Sequence, residues 1–243
     1  MWEVSLGPGT EPPAHVHLFT VDPSAPSTLY ALDTTFIDAQ KLFRTTDGGD
    51  SWRFLSDVPL DCAFGGVAVA PSNPSVLYAA GSAPEPIFRC KPPWAARILR
   101  STDGGVTWTN VTGGPFLGEV VAAVAVDPLD EDLVYAGIGP GFVAPQGDGV
   151  WRSPDGGATW RRAGAELAGR PVTVLLASAV PGRVYAVVDE DKVYSTEDGG
   201  DTWEEWSEDL RAGRILNLAA DTHDPNRIYA STTNGIWVLE EVD

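Results

Sequence analysis

Residues 45–52 read Thr-Thr-Asp-Gly-Gly-Asp-Ser-Trp, and the same octapeptide pattern returns at residues 101–108, 153–160 and 196–203. Asp-Gly-Gly between two β-rich segments predicts a tight hairpin turn, because glycine adopts positive φ freely and the aspartate carboxylate accepts hydrogen bonds from the turn's own amides. The closing Trp starts the next strand and offers a large apolar face for packing. We therefore predict a structural role within the turn, with metal binding as the alternative, for Asp47, Asp103, Asp155 and Asp198.

A Tyr-Ala pair inside a short apolar strand recurs five times, at Tyr30, Tyr78, Tyr135, Tyr185 and Tyr229. Each pair has an apolar segment upstream and a further strand-like segment downstream, so each unit contains four strands, A to D. Successive tyrosines are 44 to 57 residues apart, which is the length of a four-stranded propeller blade. The spacing predicts an all-β, five-bladed β-propeller in which residues 1–243 form one domain. The blades cover approximately residues 13–57, 63–113, 120–165, 171–208 and 214–240.

The last blade lacks a D strand, because only one strand, residues 235–239, follows Tyr229 before the sequence stops. The segment Trp2-Glu3-Val4-Ser5-Leu6 matches the beginnings of the other D strands and precedes the first A strand. We predict that residues 2–6 complete the last blade, which would leave the ring without an open sheet edge.

The charge balance narrows the choice of partners. The chain has 34 acidic and 16 basic residues and a formal net charge of −18, which repels phosphate backbones and anionic membrane surfaces. No apolar run is long enough to span a bilayer, and the N-terminus has no export signal. We expect a monomer that binds no nucleic acid, does not insert into membranes and is cytoplasmic, or extracellular if a signal sequence has been removed.

The octapeptides resemble the Asp box, or bacterial neuraminidase repeat, of sialidases, xyloglucanase-type glycosidases, sortilin-like receptors and photosystem assembly factors. The resemblance covers essentially the whole chain and implies a propeller, but it leaves the activity open because the boxes of that family lie on turns remote from the active site. The resemblance also implies a tyrosine nucleophile and three arginines for a sialidase. All six tyrosines belong to the repeat and the Arg-Ile-Pro motif is absent, which disfavours a sialidase.

The ligand face is predicted from blade topology. The A–B and C–D turns share one face, so the Asp boxes leave the B–C and D–A connections, here called the loop face, for binding. The B–C connections are long in blades one to three and short in blades four and five, which opens one side of that face. Trp94, in the long loop of blade two, is a candidate platform for a carbohydrate or a protein partner; the alternative is that it pins its own loop.

A cationic cluster is predicted from the repeat alignment. His15, Arg170 and Arg214 each lie fifteen residues before a strand-B tyrosine, and Arg211 is close to Arg214 in sequence. Equivalent positions in blades one, four and five should converge near the central channel, where arginine forks suit a carboxylate, a sulfate or an acidic sugar. The alternative is that the arginines pair with nearby carboxylates such as Glu119, Glu208 or Asp209.

Catalytic and cofactor patterns are weak. Glycoside hydrolysis needs two carboxyl groups roughly 5 to 10 Å apart, but no spacing selects a pair, and we name no catalytic residue among the loop-face candidates Asp33, Asp38, Glu85, Asp148, Asp189 and Asp191. The three histidines have no metal-ligand spacing and no phosphate loop is present, so no metal or cofactor is expected. Cys62 and Cys90 project from the same blade; a disulfide between them and two free thiols both stay open.

These observations favour a non-catalytic binding or scaffold propeller that recognises a protein or a small anionic or saccharide ligand on the loop face. The alternative is a glycosidase of the wider Asp-box group, of sialidase or xyloglucanase type. A glycosidase requires a cleft with two carboxyl groups, one of which has a raised pKa, whereas a binding module does not. A minimal ring embedded in a larger assembly is the third interpretation.

Overall fold

The computed structural model describes residues 16–33, 40–60, 65–81, 96–113, 116, 119–140, 147–206, 213–221, 223–224 and 226–240. These residues form five antiparallel sheets arranged as an all-β, five-bladed propeller, which confirms the predicted fold class. Four sheets have four strands and the last has three.

The strands follow one another as meanders, each pairing with its neighbour in sequence. Blades one and two consist of β1 (Val16–Val21), β2 (Leu29–Asp33), β3 (Gln40–Thr45), β4 (Arg53–Val58), β5 (Val67–Val69), β6 (Leu77–Gly81), β7 (Arg97–Ser101) and β8 (Thr109–Asn110). Blades three and four consist of β9 (Val120–Val126), β10 (Val134–Gly139), β11 (Gly149–Ser153), β12 (Arg161–Ala163), β13 (Val172–Ala177), β14 (Val184–Val188), β15 (Lys192–Thr196) and β16 (Glu204–Glu205). Blade five consists of β17 (Ile215–Ala220), β18 (Arg227–Thr232) and β19 (Gly235–Glu240).

Blades pack on one another through the second strand of each sheet. The tyrosines Tyr30, Tyr78, Tyr135 and Tyr185 are each at most 2% exposed, and each lies in an apolar cluster that joins strands of two consecutive sheets. The first strands also touch in sequence order, β1 with β5, β5 with β9, β9 with β13 and β13 with β17. Side chains on both faces of the inner strands are therefore apolar, because both faces are covered.

The tryptophans that close the octapeptides fasten each blade to the preceding one. The indole N–H of Trp108 donates to Ser56 Oγ, at 3.2 Å. The corresponding donors of Trp160 and Trp203 reach the carbonyl oxygens of Val111 and Ala163, at 2.9 and 3.1 Å. Each ring thus covers the outer strand of its neighbour and satisfies its own polar atom.

Each Asp box is a closed network of hydrogen bonds. In the second box, Asp103 Oδ1 accepts from the amides of Val106 and Thr107 at 3.0 and 2.8 Å, and its Oδ2 accepts from the Thr107 hydroxyl at 2.6 Å. These bonds favour the ionised carboxylate and lower the pKa of Asp103 to about 2. The pKa values of Asp47, Asp155 and Asp198 are lowered for the same reason.

The last sheet ends in an exposed edge within the described residues. Ile236 on β19 is 78% exposed and Val238 is 49% exposed. Residues 2–6, which are predicted to pair with this strand, lie outside the described residues, so closure of the ring stays a prediction. Separately, no helix in the described ranges is long and apolar enough to cross a membrane.

Candidate functional site

Backbone hydrogen bonds distinguish the two ends of the propeller. In four blades the amide of a glycine in the Asp box donates to a carbonyl of the adjacent A–B turn, as Gly104 does to Ser75 and Gly199 does to Gly182. The boxes and the A–B turns therefore share one end, here called the box end. The B–C turns, including residues 189–191, lie at the opposite loop face.

Arg170 lies two residues before the first strand of blade four, and its guanidinium is held by two acceptors. Its Nη2 lies 2.7 Å from Asp189 Oδ2, and its Nη1 donates to the Tyr194 hydroxyl at 2.7 Å. Partial burial acts to lower the pKa of Arg170, but the hydrogen bonds to Asp189 and Tyr194 outweigh it and raise the pKa. The Tyr194 hydroxyl donates in turn to Glu205, at 3.0 Å, and Lys192 also binds that carboxylate, at 3.1 Å.

Arg214 occupies the equivalent position in blade five and pairs with Glu190 at 3.1 Å. Asp189 and Glu190 are consecutive residues of the β14–β15 turn and have positive φ values of 53° and 71°. The turn is fastened on both sides, because the Asp189 amide donates to Pro171 and the Glu190 carbonyl accepts from Ile215. One strained turn thus supplies both arginines with carboxylates, and positive φ in a residue such as glutamate is uncommon outside functional or tightly constrained sites.

Arg170 and Arg214 do pair with carboxylates, as the alternative in the sequence analysis has it, but the carboxylates differ from those named there. Among the described residues Asp189 and Glu190 are the partners, and Glu119 is not. Glu208 and Asp209 lie outside the described residues, as do five other residues of interest: His15, Arg211 and Trp94 of the predicted binding site, and Asp38 and Glu85 of the carboxylate candidates. The convergence of His15 with the two arginines therefore stays a prediction, and so does a bond between Cys62 and Cys90, which also lie outside the described residues.

A second cluster of charged side chains on the loop face contains Glu119 and Asp148 of blade three. Both oxygens of Asp148 bind Arg162, at 2.7 and 2.9 Å, and the Trp151 indole donates to Asp148 at 3.3 Å. Burial, reinforced by the negative charge of Asp148, raises the pKa of Glu119. Within the described residues, Glu119 Oε2 is buried and has no hydrogen-bond partner. A carboxyl group that favours protonation, close to a carboxyl group paired with an arginine, is the electrostatic arrangement of an acid and base pair.

A pocket of about 340 Å³ lies at the box end, where blade four faces blade five. The ring of Trp206 is 5.1 Å from that of Tyr185, between centroids. The pocket is lined by Arg183, Tyr185, Ser195, Thr196, Glu197, Asp198, Thr202, Glu204, Glu205 and Trp206. The sequence-based reasoning assigned no ligand to this end and missed the pocket. The signal in the sequence is Ser195, which stands where blades one to three have an arginine.

Chemically, the described residues offer paired charges and no metal site. No group of three or more His, Cys, Asp or Glu side chains in the described ranges could hold a metal ion. Glu119 combines a raised pKa with a neighbouring carboxylate, which sequence spacing cannot show because both features depend on burial.

Comparison with solved structures relates the fold to two kinds of protein. The chain superposes on a GH74 enzyme of Niastella koreensis with a TM-score of 0.67 at 20% identity, covering 90% of this chain and 34% of that one. It superposes on YCF48 from Cyanidioschyzon merolae with a TM-score of 0.58 at 17% identity, covering 96% and 70% of the two chains. A structure of YCF48 bound to D1 peptide gives 0.54 at 18% identity, with coverages of 88% and 65%.

The chain therefore spans about a third of the GH74 enzyme that it resembles. No protein-family model matches the chain, and a search of curated protein sequences finds no match either. At these identities the likeness shows the fold alone, a β-propeller of Asp-box type.

Proposed function

We propose that this propeller is a non-catalytic binding module, and that Arg170 and Arg214 on the loop face receive an anionic group of a protein or a small ligand. The observation that carries the proposal is that two guanidinium groups on adjacent blades are neutralised by a single exposed turn, residues 189–190. Binding and scaffold roles need such a surface and no reacting pair of carboxyl groups.

Ligand binding at this site is an exchange of anions. The side chains of Arg170 and Asp189 are 26% and 41% exposed, and those of Arg214 and Glu190 are 58% and 42% exposed, so solvent reaches both pairs. A carboxylate or sulfate can displace Asp189 or Glu190 and keep the paired donors of arginine satisfied. Exposed ion pairs contribute only about 0–1 kcal/mol each, so the exchange requires little free energy.

The comparisons support a binding role by analogy of fold. YCF48, a propeller that is similar to 88% of the present chain, has been seen with a D1 peptide. A peptide supplies carboxylates in its acidic side chains and at its C-terminus. An acidic peptide is accordingly the first ligand class to test, followed by acidic saccharides.

The test is a thermal-shift and calorimetric titration of the full chain with acidic peptides, sulfated or carboxylated saccharides and neutral analogues. A ligand at 100 times its dissociation constant adds about 2.7 kcal/mol of stability. We expect Arg170→Ala with Arg214→Ala to abolish the stabilisation, and Asp189→Asn with Glu190→Gln to strengthen it because the internal competitors are neutral. Arg162→Ala is the matched control, since Arg162 is an arginine of blade three that pairs with a loop-face carboxylate. Equal binding by parent and Arg170/Arg214 variant would refute the proposed site.

A glycosidase remains the second candidate, and it is favoured by Glu119, whose pKa is raised beside Asp148. If the protein is a glycosidase, Glu119 is the general acid and Asp148 is the base or nucleophile. The assay is release of reducing sugar from xyloglucan, a substrate chosen from the likeness to a GH74 xyloglucanase of Xanthomonas campestris. Glu119→Gln should abolish release, while Glu166→Gln, at an exposed position of the same blade, should not. No release by the parent protein rejects this candidate.

A further inference from the structure

The residue opposite the strand-B tyrosine is an arginine in blades one to three, but not in blade four or in blade five, where Tyr229 pairs with Val238. In the first three blades that cross-strand partner is an arginine: Tyr30 pairs with Arg44, Tyr78 with Arg100 and Tyr135 with Arg152. In blade four the partner of Tyr185 is Ser195. Cross-strand partners lie on the same face of a sheet, so Ser195 stands where blades one to three have a guanidinium.

Two of these arginines, Arg100 and Arg152, bind acceptors on the next blade, and Arg44 lies over the ring of its own tyrosine. The guanidinium carbon of Arg44 is 5.6 Å from the ring centroid of Tyr30, and that of Arg100 is 5.9 Å from the centroid of Tyr78. Arg100 also binds Asp132 of blade three.

Arg152 reaches further into the next blade. It donates to the carbonyl oxygen of Gly199 and to Asp201, both in the Asp box of blade four, and its side chain is only 7% exposed. In blades two and three a buried or half-buried guanidinium therefore joins the aromatic ring to acceptors on the following blade.

The pocket at the box end is the corresponding space in blade four. It lies over Tyr185 and Ser195, and Glu204, the cross-strand partner of Ser195 on the other side, also lines it. Arg183 reaches across to blade five, where it binds Asn226 at 2.7 Å, and it also binds Glu197 at 2.5 Å. A volume of about 340 Å³ lies at the small end of ligand pockets, which suits one side chain better than a large molecule.

The lining of the pocket selects for a cation. Four carboxylates contribute to it, Glu197, Asp198, Glu204 and Glu205, against one cationic side chain, Arg183. Glu197 binds Arg183, Glu205 binds Lys192 and the Tyr194 hydroxyl, and Asp198 accepts within its own box. Among the described residues Glu204 is therefore the lining carboxylate that is open to an incoming cation. The aromatic rings of Tyr185 and Trp206 line the same space, and a guanidinium stacks on aromatic faces while its donors bind carboxylates in pairs.

We propose that this pocket receives an arginine side chain of a partner polypeptide, which supplies from outside the guanidinium that blades one to three carry themselves. The site is at the opposite end of the propeller from Arg214, whereas Arg170 reaches one lining residue, Glu205, through the Tyr194 hydroxyl. The chain's charge of −18 also attracts a basic partner segment over a distance at low ionic strength.

The test titrates the full chain with the blocked tripeptide acetyl-Gly-Arg-Gly-amide, followed by NMR chemical shifts and calorimetry. The citrulline tripeptide, which has the same shape without the charge, is the ligand control. We expect saturable binding of the arginine peptide, at least roughly tenfold weaker binding of the citrulline peptide, and weakening with added salt.

Two substitutions at one position separate the pocket from the rest of the surface. Ser195→Ala keeps the space open and should bind as the parent does. Ser195→Arg fills the space from within and should abolish binding while leaving the melting temperature equal or higher. Glu204→Gln, which removes one lining charge, should weaken binding several-fold and serves if Ser195→Arg does not fold. The single variant Arg214→Ala leaves the Arg170–Tyr194–Glu205 connection intact. It should bind the arginine peptide normally while weakening the loop-face site, which separates failure of one site from failure of the other.

Three outcomes would overturn the proposal. Equal binding of the arginine and citrulline peptides would show that no cation is recognised. Equal binding by the parent and Ser195→Arg would place the peptide elsewhere. Binding that appears only after removal of residues 1–7 would show that the chain's own N-terminal segment, rather than a partner, fills the pocket.

Discussion

Replacing Gly105 by alanine tests how tightly consecutive blades are joined. Gly105 has φ +89°, and a Cβ added there would lie 2.7 Å from Leu42 Cδ2 and 3.1 Å from Leu55 Cδ2, both in blade one. Leu42 is fully buried, so it has little room to move. Gly104, in the same turn, has φ +72° but nothing within 4 Å of its added Cβ. The two glycines therefore share backbone strain and differ in packing.

The expected magnitudes follow from these contacts. Alanine in the left-handed region costs about 1–2 kcal/mol, which is the whole expected effect of Gly104→Ala. Overpacking of a close-packed core adds about 1–3 kcal/mol, so Gly105→Ala should destabilise the protein by about 2–5 kcal/mol.

Urea unfolding followed by circular dichroism measures both variants, provided that the slope of free energy against denaturant is unchanged. For a chain of this size, 1 kcal/mol corresponds to a shift of about 2–4 °C in the melting temperature. Equal destabilisation by the two substitutions would refute the reasoning, because it would mean that the box does not pack on the preceding blade.

Three further predictions concern closure, the cysteines and pH. Gly49 is the glycine of the first box that is equivalent to Gly105, and it packs against the last blade if residues 2–6 complete that blade. Gly49→Ala should then destabilise the protein as much as Gly105→Ala in the same urea experiment. An effect as small as that of Gly104→Ala contradicts closure. Alkylation without reductant, followed by mass measurement, decides the Cys62–Cys90 bond: a bonded pair takes up no alkyl groups, and two added groups exclude the bond. The lowered pKa of Asp103, about 2, predicts full stabilisation above its unfolded pKa of about 3.9 and loss as pH falls through the folded value, so the melting temperature should decline between about pH 4 and pH 2. A melting temperature that stays constant over that interval contradicts a stabilising role for the box carboxylates.

The loop-face cluster shows how far repeat alignment reaches. Alignment on the tyrosines placed Arg170 and Arg214 at equivalent positions, and in the structure both lie just before the first strands of adjacent blades, close to one turn. It did not identify Asp189 and Glu190 as their partners. That pairing depends on a turn with positive φ that is fastened to Pro171 and Ile215 by backbone hydrogen bonds, and these bonds join segments distant in sequence.

The Ser195 pocket shows the opposite case. The sequence contains the substitution of serine for arginine, but only the tertiary structure shows that a pocket results. Ser195 departs from the arginines at three equivalent positions, yet a serine in a strand is unremarkable by itself. The departure becomes a pocket only because Tyr185, Arg183 and Trp206 surround the space that the missing side chain leaves.

The amino-acid sequence by itself determined the number of blades, their strand order and the end at which the Asp boxes lie. The reason is that these features arise from local turn chemistry and from the pattern of apolar strands. Both recur in every repeat. Only the tertiary structure decided which charges are paired, which carboxyl group is desolvated and where a cavity remains. Those properties depend on burial and on contacts between blades, where residues far apart in the chain determine each other's solvent and charge environment.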